Sequence, residues 1–164
     1  YLNSGRRIGR AEHHDSSILV SLTAQTGWVL HLHGKSTKAK EKICSARDRH
    51  QRQAGGSVLA AIMPRLLGTV LSDTARSDTA EVDGATKVFQ EGMAMLQRMA
   101  PRSVEMALML GALARHLRRY GLQSLSEVER LVYQALEIME CNAIGVTPDH
   151  TDYLELKELA FQLC

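Results

Sequence analysis

In residues 104–120, Met106, Leu110, Leu113 and Leu117 follow one another at intervals of four, three and four. That spacing sets all four on one stripe of an amphipathic helix. Ser103 stands ready as its cap and Gly121 as the residue after its end. Arg115, Arg118 and Arg119 fall in the last turns, where positive charge complements the helix dipole. A chain built of such segments must bury one stripe against the next, which restricts it to helix-on-helix packing.

The neighbouring segments read the same way. Residues 84–100 offer Val88, Met93, Met95 and Leu96 for burial, and Pro101 stops them. Ser124 with Glu127, and Ser126 with Glu129, match the capping-box spacing for a helix to about Cys141, with Val128, Leu131, Ala135 and Ile138 inward. Thr147-Pro148-Asp149 starts a last helix whose stripe is Tyr153, Leu156, Ala160 and Leu163. Ser57 caps a helix from Val58 to about Leu71, which Pro64 is expected to kink. Residues 72–83, with Ser-Asp-Thr-Ala twice, read as a loop. The predicted fold is mainly α: an antiparallel helical bundle or a short helical-hairpin solenoid. In outline, the hairpins over 103–163 resemble those of organellar helical-repeat RNA-binding proteins. No second copy of a repeat is found at a fixed period, so no family is assigned.

Charge divides the chain. Residues 1–53 carry ten Lys/Arg against four acids, a sum of +6, while residues 54–164 carry ten against fourteen, a sum of −4. We therefore expect a basic, mostly extended N-terminal arm over residues 1–56 and an α-helical body over residues 57–164. Within the arm, Trp28, Leu30 and Leu32 alternate with Val29, His31 and His33, which suggests a small strand hairpin near 18–33. Residues 36–53 read as a polar helix with Ser36 as cap and a thin apolar stripe of Ile43, Cys44 and Ala46. Ala54-Gly55-Gly56 is the expected hinge. The chain opens on Tyr1, which reads as a processed product or a piece of something longer. The Arg-rich stretch 4–10 fits either the remnant of an organellar targeting region or a basic contact arm.

Catalytic and cofactor chemistry find no motif. Gly34-Lys35-Ser36 ends like a phosphate loop, but the glycine that loop needs at position 29 is Val29. His31-x-His33 would place two imidazoles on one face of a strand, yet no third ligand stands at helical spacing. Cys44, Cys141 and Cys164 form no C-x-x-C pair and read as reduced intracellular thiols. Acid pairs such as Glu127/Glu129 and Glu155/Glu158 read as caps and solvated faces, and His116 as a surface or interface residue. We expect no enzyme, no metal, no cofactor and no small-molecule substrate. No apolar run approaches the ~20 residues of a membrane span.

Two surfaces remain. Arg6, Arg7, Arg10, Lys35, Lys38, Lys40, Lys42, Arg47, Arg49 and Arg52 are the candidate contacts to RNA phosphates, since such cations release counterions on binding. Met93, Met95, Met99, Met106 and Met109 either fill the core or make an adaptable groove for a partner. The expectation is a structural subunit of a large ribonucleoprotein, such as an organellar (mitochondrial) ribosome, with rRNA-like RNA and neighbouring proteins as partners. The low aromatic share, 4%, argues against a sheet-based RNA reader. The alternatives are a helical protein-interaction adaptor or chaperone using the Met/Leu surface, and an assembly subunit lying on anionic lipid.

Overall fold

Apolar stripes separated by caps and breakers fold here as a succession of helices. The computed structural model describes residues 18–52, 58–75, 79–141 and 151–163. Among them are α1 (residues 18–32), α2 (Ser36–Gln51), α3 (Val58–Thr74), α4 (Thr79–Met99), α5 (Val104–Tyr120), α6 (Leu125–Cys141) and α7 (Thr151–Phe161), and no strand. The mainly-α expectation holds. Local signals set the ends of α5: the Ser103 hydroxyl accepts from the Met106 amide at 3.2 Å, and Gly121 is left-handed at φ 61°. Leu122 N–H then closes the helix on the Leu117 carbonyl at 3.0 Å.

Two parts of the N-terminal expectation are corrected. Residues 18–32 form a helix rather than a hairpin, and residues 18–51 are not extended. Val20 and Ala24 of α1 join Ala39, Ile43 and Ala46 of α2 and Met63, Leu66, Leu67 and Val70 of α3 in one buried cluster. Small residues bring the helices close. A Cβ on Gly27 would stand 2.7 Å from Ile43 Cγ1 and 3.1 Å from the Ala39 carbonyl oxygen. A helix satisfies its own backbone while burying this face, whereas a lone two-stranded hairpin is marginal in water. Residues 1–17 with Arg6, Arg7 and Arg10, the expected hinge at 54–56 and the Thr147-Pro148-Asp149 start lie outside the described residues. So does Cys164. The 72–83 segment is mostly helical, since α3 continues to Thr74 and α4 begins at Thr79.

Packing follows a two-layer order. α3 lies along α4, and α5 along α6; α3 also touches α5, and α5 touches α7. Among the described residues α2, α4 and α6 do not touch one another, so grooves open between them. Side chains tie each odd helix to the next: Arg65 to Glu105 at 2.6 Å, Arg115 to Glu155 at 3.3 Å, Arg118 to Gln162 at 2.8 Å. The arrangement is an antiparallel helical bundle built of successive hairpins.

A repeat underlies it, contrary to the sequence reading. Val58 and Val104, which begin α3 and α5, are 46 residues apart, as are Thr79 and Leu125, which begin α4 and α6. At the same offset Ala61/Ala107, Met63/Met109, Leu67/Leu113, Leu71/Leu117, Glu81/Glu127, Val82/Val128, Glu91/Glu137 and Met93/Met139 are identical pairs. Stacked copies bury a continuous core that one hairpin could not.

Candidate nucleic-acid interface

α2 carries the cations. Ala39, Ile43 and Ala46 face inward, which fixes where the other side chains stand, each residue turning ~100° from the last. Lys38, Lys42 and Arg49 fall on one side of the helix, Lys40 and Arg47 on the other, and Glu41 and Asp48 outermost between them. Lys35, Lys38, Lys40, Lys42, Arg49 and Arg52 are exposed, and Arg47 is half-buried. Among the described residues none of the seven has an ion-pair partner, whereas Arg65, Arg115, Arg119 and Arg130 of the body each hold a carboxylate. Lys35 occupies the N-cap with no side-chain cap hydrogen bond, and no acid stands in the first turn. Ser36, the expected cap, is instead the first helical residue.

That serine belongs to the joint that holds the basic helix on the body. His31 Nδ1 meets Ser36 Oγ at 3.0 Å, and His31 Nε2 donates to Asp73 Oδ2 at 2.9 Å. Arg119 donates to the other oxygen of Asp73 at 2.7 Å. The joint therefore links α1, α2, α3 and α5 through one carboxylate. His31 and His33 do not share a strand face: His31 lies in the last turn of α1 and His33 in the turn that follows it. Among the described residues no three His, Cys, Asp or Glu side chains converge on a metal position.

Beneath the joint lies a buried polar chain. His116 is 1% exposed, not a surface residue as its position between Arg115 and Leu117 suggested. Its Nε2 is 2.8 Å from Thr86 Oγ1 and its Nδ1 2.9 Å from Ser72 Oγ. The Thr86 hydroxyl donates to the Val82 carbonyl, so Oγ1 accepts from Nε2–H, and Nδ1 accepts from Ser72. Burial lowers the pKa of this ring; the Val82 carbonyl raises it and the Arg119 charge lowers it again. The ring is neutral and fully satisfied. Tyr120 completes the joint by donating to the Ser72 and Ala75 carbonyls at 2.5 and 2.9 Å. The polarity of Ser72 and Asp73 was legible in the sequence; their partners, more than forty residues away, were not.

The methionines do not form one patch. Met106 and Met109 are in the core, Met93 and Met95 are half-buried, and only Met99, 40% exposed, faces solvent. Exposed apolar side chains gather instead on α1, with others such as Leu125 and Phe161 scattered over the body. Ile18, Leu19, Leu22, Val29 and Leu32 are each about half exposed or more, on a helix without Asp, Glu, Lys or Arg.

Between α2 and α4 runs a groove of about 590 Å³. Its α2 wall presents Lys40, Cys44, Arg47 and Gln51, and its floor is Leu67 and Leu71. Glu81, Lys87, Val88 and Glu91 of α4 close the far side. Among the described residues Arg47 Nε is shielded from solvent without a hydrogen-bond partner, as are both ring nitrogens of the half-buried His50. Among the described residues no helix is long and apolar enough to cross a membrane. No family model matches the chain, and no curated protein shows significant similarity to it.

Proposed function

We propose that the chain is a non-catalytic, helical-repeat subunit of a ribonucleoprotein, with α2 as its contact to RNA phosphates. One observation carries the reading: seven cations on a single helix and its caps have no ion-pair partner among the described residues, while four arginines of the body each meet a carboxylate. Packed cations without partners repel one another, and a phosphate backbone relieves that repulsion while releasing its counterions. Lys35 and Lys38 also crowd the positive end of the α2 dipole, where an anion is stabilising and a cation is not. The Arg-rich opening with Arg6, Arg7 and Arg10 fits an organellar member of this class.

An adaptor reading draws support from a separate observation, the uncharged and exposed apolar side of α1. The two are compatible: a neighbouring subunit covers α1 while RNA lies against α2. The test is binding of the full chain to single-stranded RNA across a salt series, beside Lys38→Gln/Lys42→Gln/Arg49→Gln and Lys40→Gln/Arg47→Gln variants. The reading expects affinity to fall steeply with salt, and the dependence to flatten by ~0.7 in log–log slope for each phosphate contact removed. Equal, weak binding by all three proteins would overturn it.

A further inference from the structure

We infer that the groove between α2 and α4 seats one unpaired nucleotide of that RNA; this rests on the RNA reading and adds a location and a ligand class to it. Three features of the groove match three parts of a nucleotide. On the α2 wall Lys40 and Arg47 are cationic donors and suit a phosphate. On the α4 wall, Glu81 and Glu91 are acceptors and suit the N–H groups of a base or a ribose 2′-hydroxyl. The floor of Leu67 and Leu71 is apolar and suits a base face. Lys87 stands among the acids on that wall and keeps it from being uniformly negative.

Arg47 sharpens the choice. Its Nε–H is withdrawn from water and has no hydrogen-bond partner among the described residues, a cost that folded proteins seldom leave uncompensated. Arg47 lines the groove, so the rest of its guanidinium stands where an acceptor delivered into the groove would meet it. A fatty acid would supply the acceptor but lay an alkyl chain beside the charged Glu81 and Glu91, a poor match of apolar with ionic surface. Duplex RNA would supply phosphates but keep its bases stacked out of reach. A volume of about 590 Å³ lies within the ~300–1,000 Å³ range of small-ligand sites.

The groove is also particular to this repeat. The corresponding groove between α4 and α6 has the equivalent floor, Leu113 and Leu117, and the equivalent acid, Glu127. Opposite them, however, it presents Asp83 and Gln90 in place of a cationic wall. The nucleotide-sized space recurs, and its phosphate-binding side does not.

Cys44 lies on the α2 wall between Lys40 and Arg47 as a free thiol and reports occupancy directly. In a full-length Cys141→Ser/Cys164→Ser background, alkylation of Cys44 is timed with a short oligouridylate or with an RNA duplex at saturating concentration. Binding is followed in parallel by fluorescence anisotropy. The expected result is that the single strand slows Cys44 alkylation at least severalfold and the duplex does not. Arg47→Met should weaken single-strand binding about tenfold, the loss of one charged hydrogen bond. Because Arg47 has no side-chain partner among the described residues, that variant should keep its fold by circular dichroism. Single-strand binding that leaves Cys44 fully reactive, or that Arg47→Met does not weaken, would overturn the groove while the RNA reading stands. Failure of any RNA to bind would overturn both.

Discussion

His31 and Asp73, separated by 42 residues, meet at 2.9 Å, and this contact sets the basic helix on the body. His31 ends α1 and also meets the first residue of α2, so the turn between those helices is tied to the end of α3. Through Arg119 the same carboxylate reaches α5.

Asp73→Ala should therefore loosen the α1–α2 hairpin more than the rest. His31 and Arg119 both lose a partner, but Asp73 and Arg119 are about half exposed, so screening limits the global cost to about 1 kcal/mol. Hydrogen exchange should speed up over residues 18–52 and hardly change in α5 and α6. Uniform acceleration would show that the joint does not act locally.

His116 predicts a response to pH. Its pKa is depressed in the folded chain by burial, while in the unfolded chain it lies near 6.5. Acidification through that value protonates the unfolded chain first, so stability is complete above it and falls as the pH drops towards the folded pKa. Urea midpoints measured between neutral and mildly acidic pH should decline, and His116→Gln should flatten the part due to this ring. At neutral pH His116→Ala should cost about 3 kcal/mol, because Ser72 and Thr86 lose their partner inside the core.

Gly27→Ala tests how closely α1 approaches α2. The added methyl meets Ile43 Cγ1 at 2.7 Å and the Ala39 backbone oxygen at 3.1 Å, and the latter cannot rotate away. Helix propensity favours alanine by about 1 kcal/mol, and overpacking opposes it by ~1–3 kcal/mol. The net expectation is a lower thermal midpoint; a higher one would mean the helices part without cost.

Leu22→Glu with Val29→Glu tests the uncovered side of α1. Both side chains are about half exposed, so stability should change by no more than roughly 0.5 kcal/mol for each. Fluorescence of a hydrophobic probe should fall sharply in the variant. A loss of several kcal/mol would show instead that these residues are packed.

Helices with a strong one-sided pattern were legible before the structure. α5 begins and ends where Ser103 and Gly121 indicated, because a cap and a left-handed residue act within one turn. α1 escaped detection because large apolar residues lie on both its buried and its exposed sides, which erases the helical period and leaves a false alternation. Its true inner face is partly alanine and glycine, at Ala24 and Gly27, which carry little pattern. The repeat was legible but missed: Leu67/Leu113 and Glu81/Glu127 stand out once the chain is compared with itself at the offset of 46 residues.

The candidate interface divides in the same way. That Lys35 to Arg52 is a basic stretch is a matter of counting, and that it is helical follows from its Lys, Arg and Glu content. Which side each cation takes depended on where α3 pressed against Ala39, Ile43 and Ala46.

From its own residues the chain determined a series of short helices and a marked imbalance of charge, since periodicity, capping and net charge arise among near neighbours. Only the tertiary structure decided that His116 is interior, that Met109 is core rather than surface, and that Arg47 borders a groove. Those outcomes depend on contacts between separate helices, whose angles and distances no local pattern encodes.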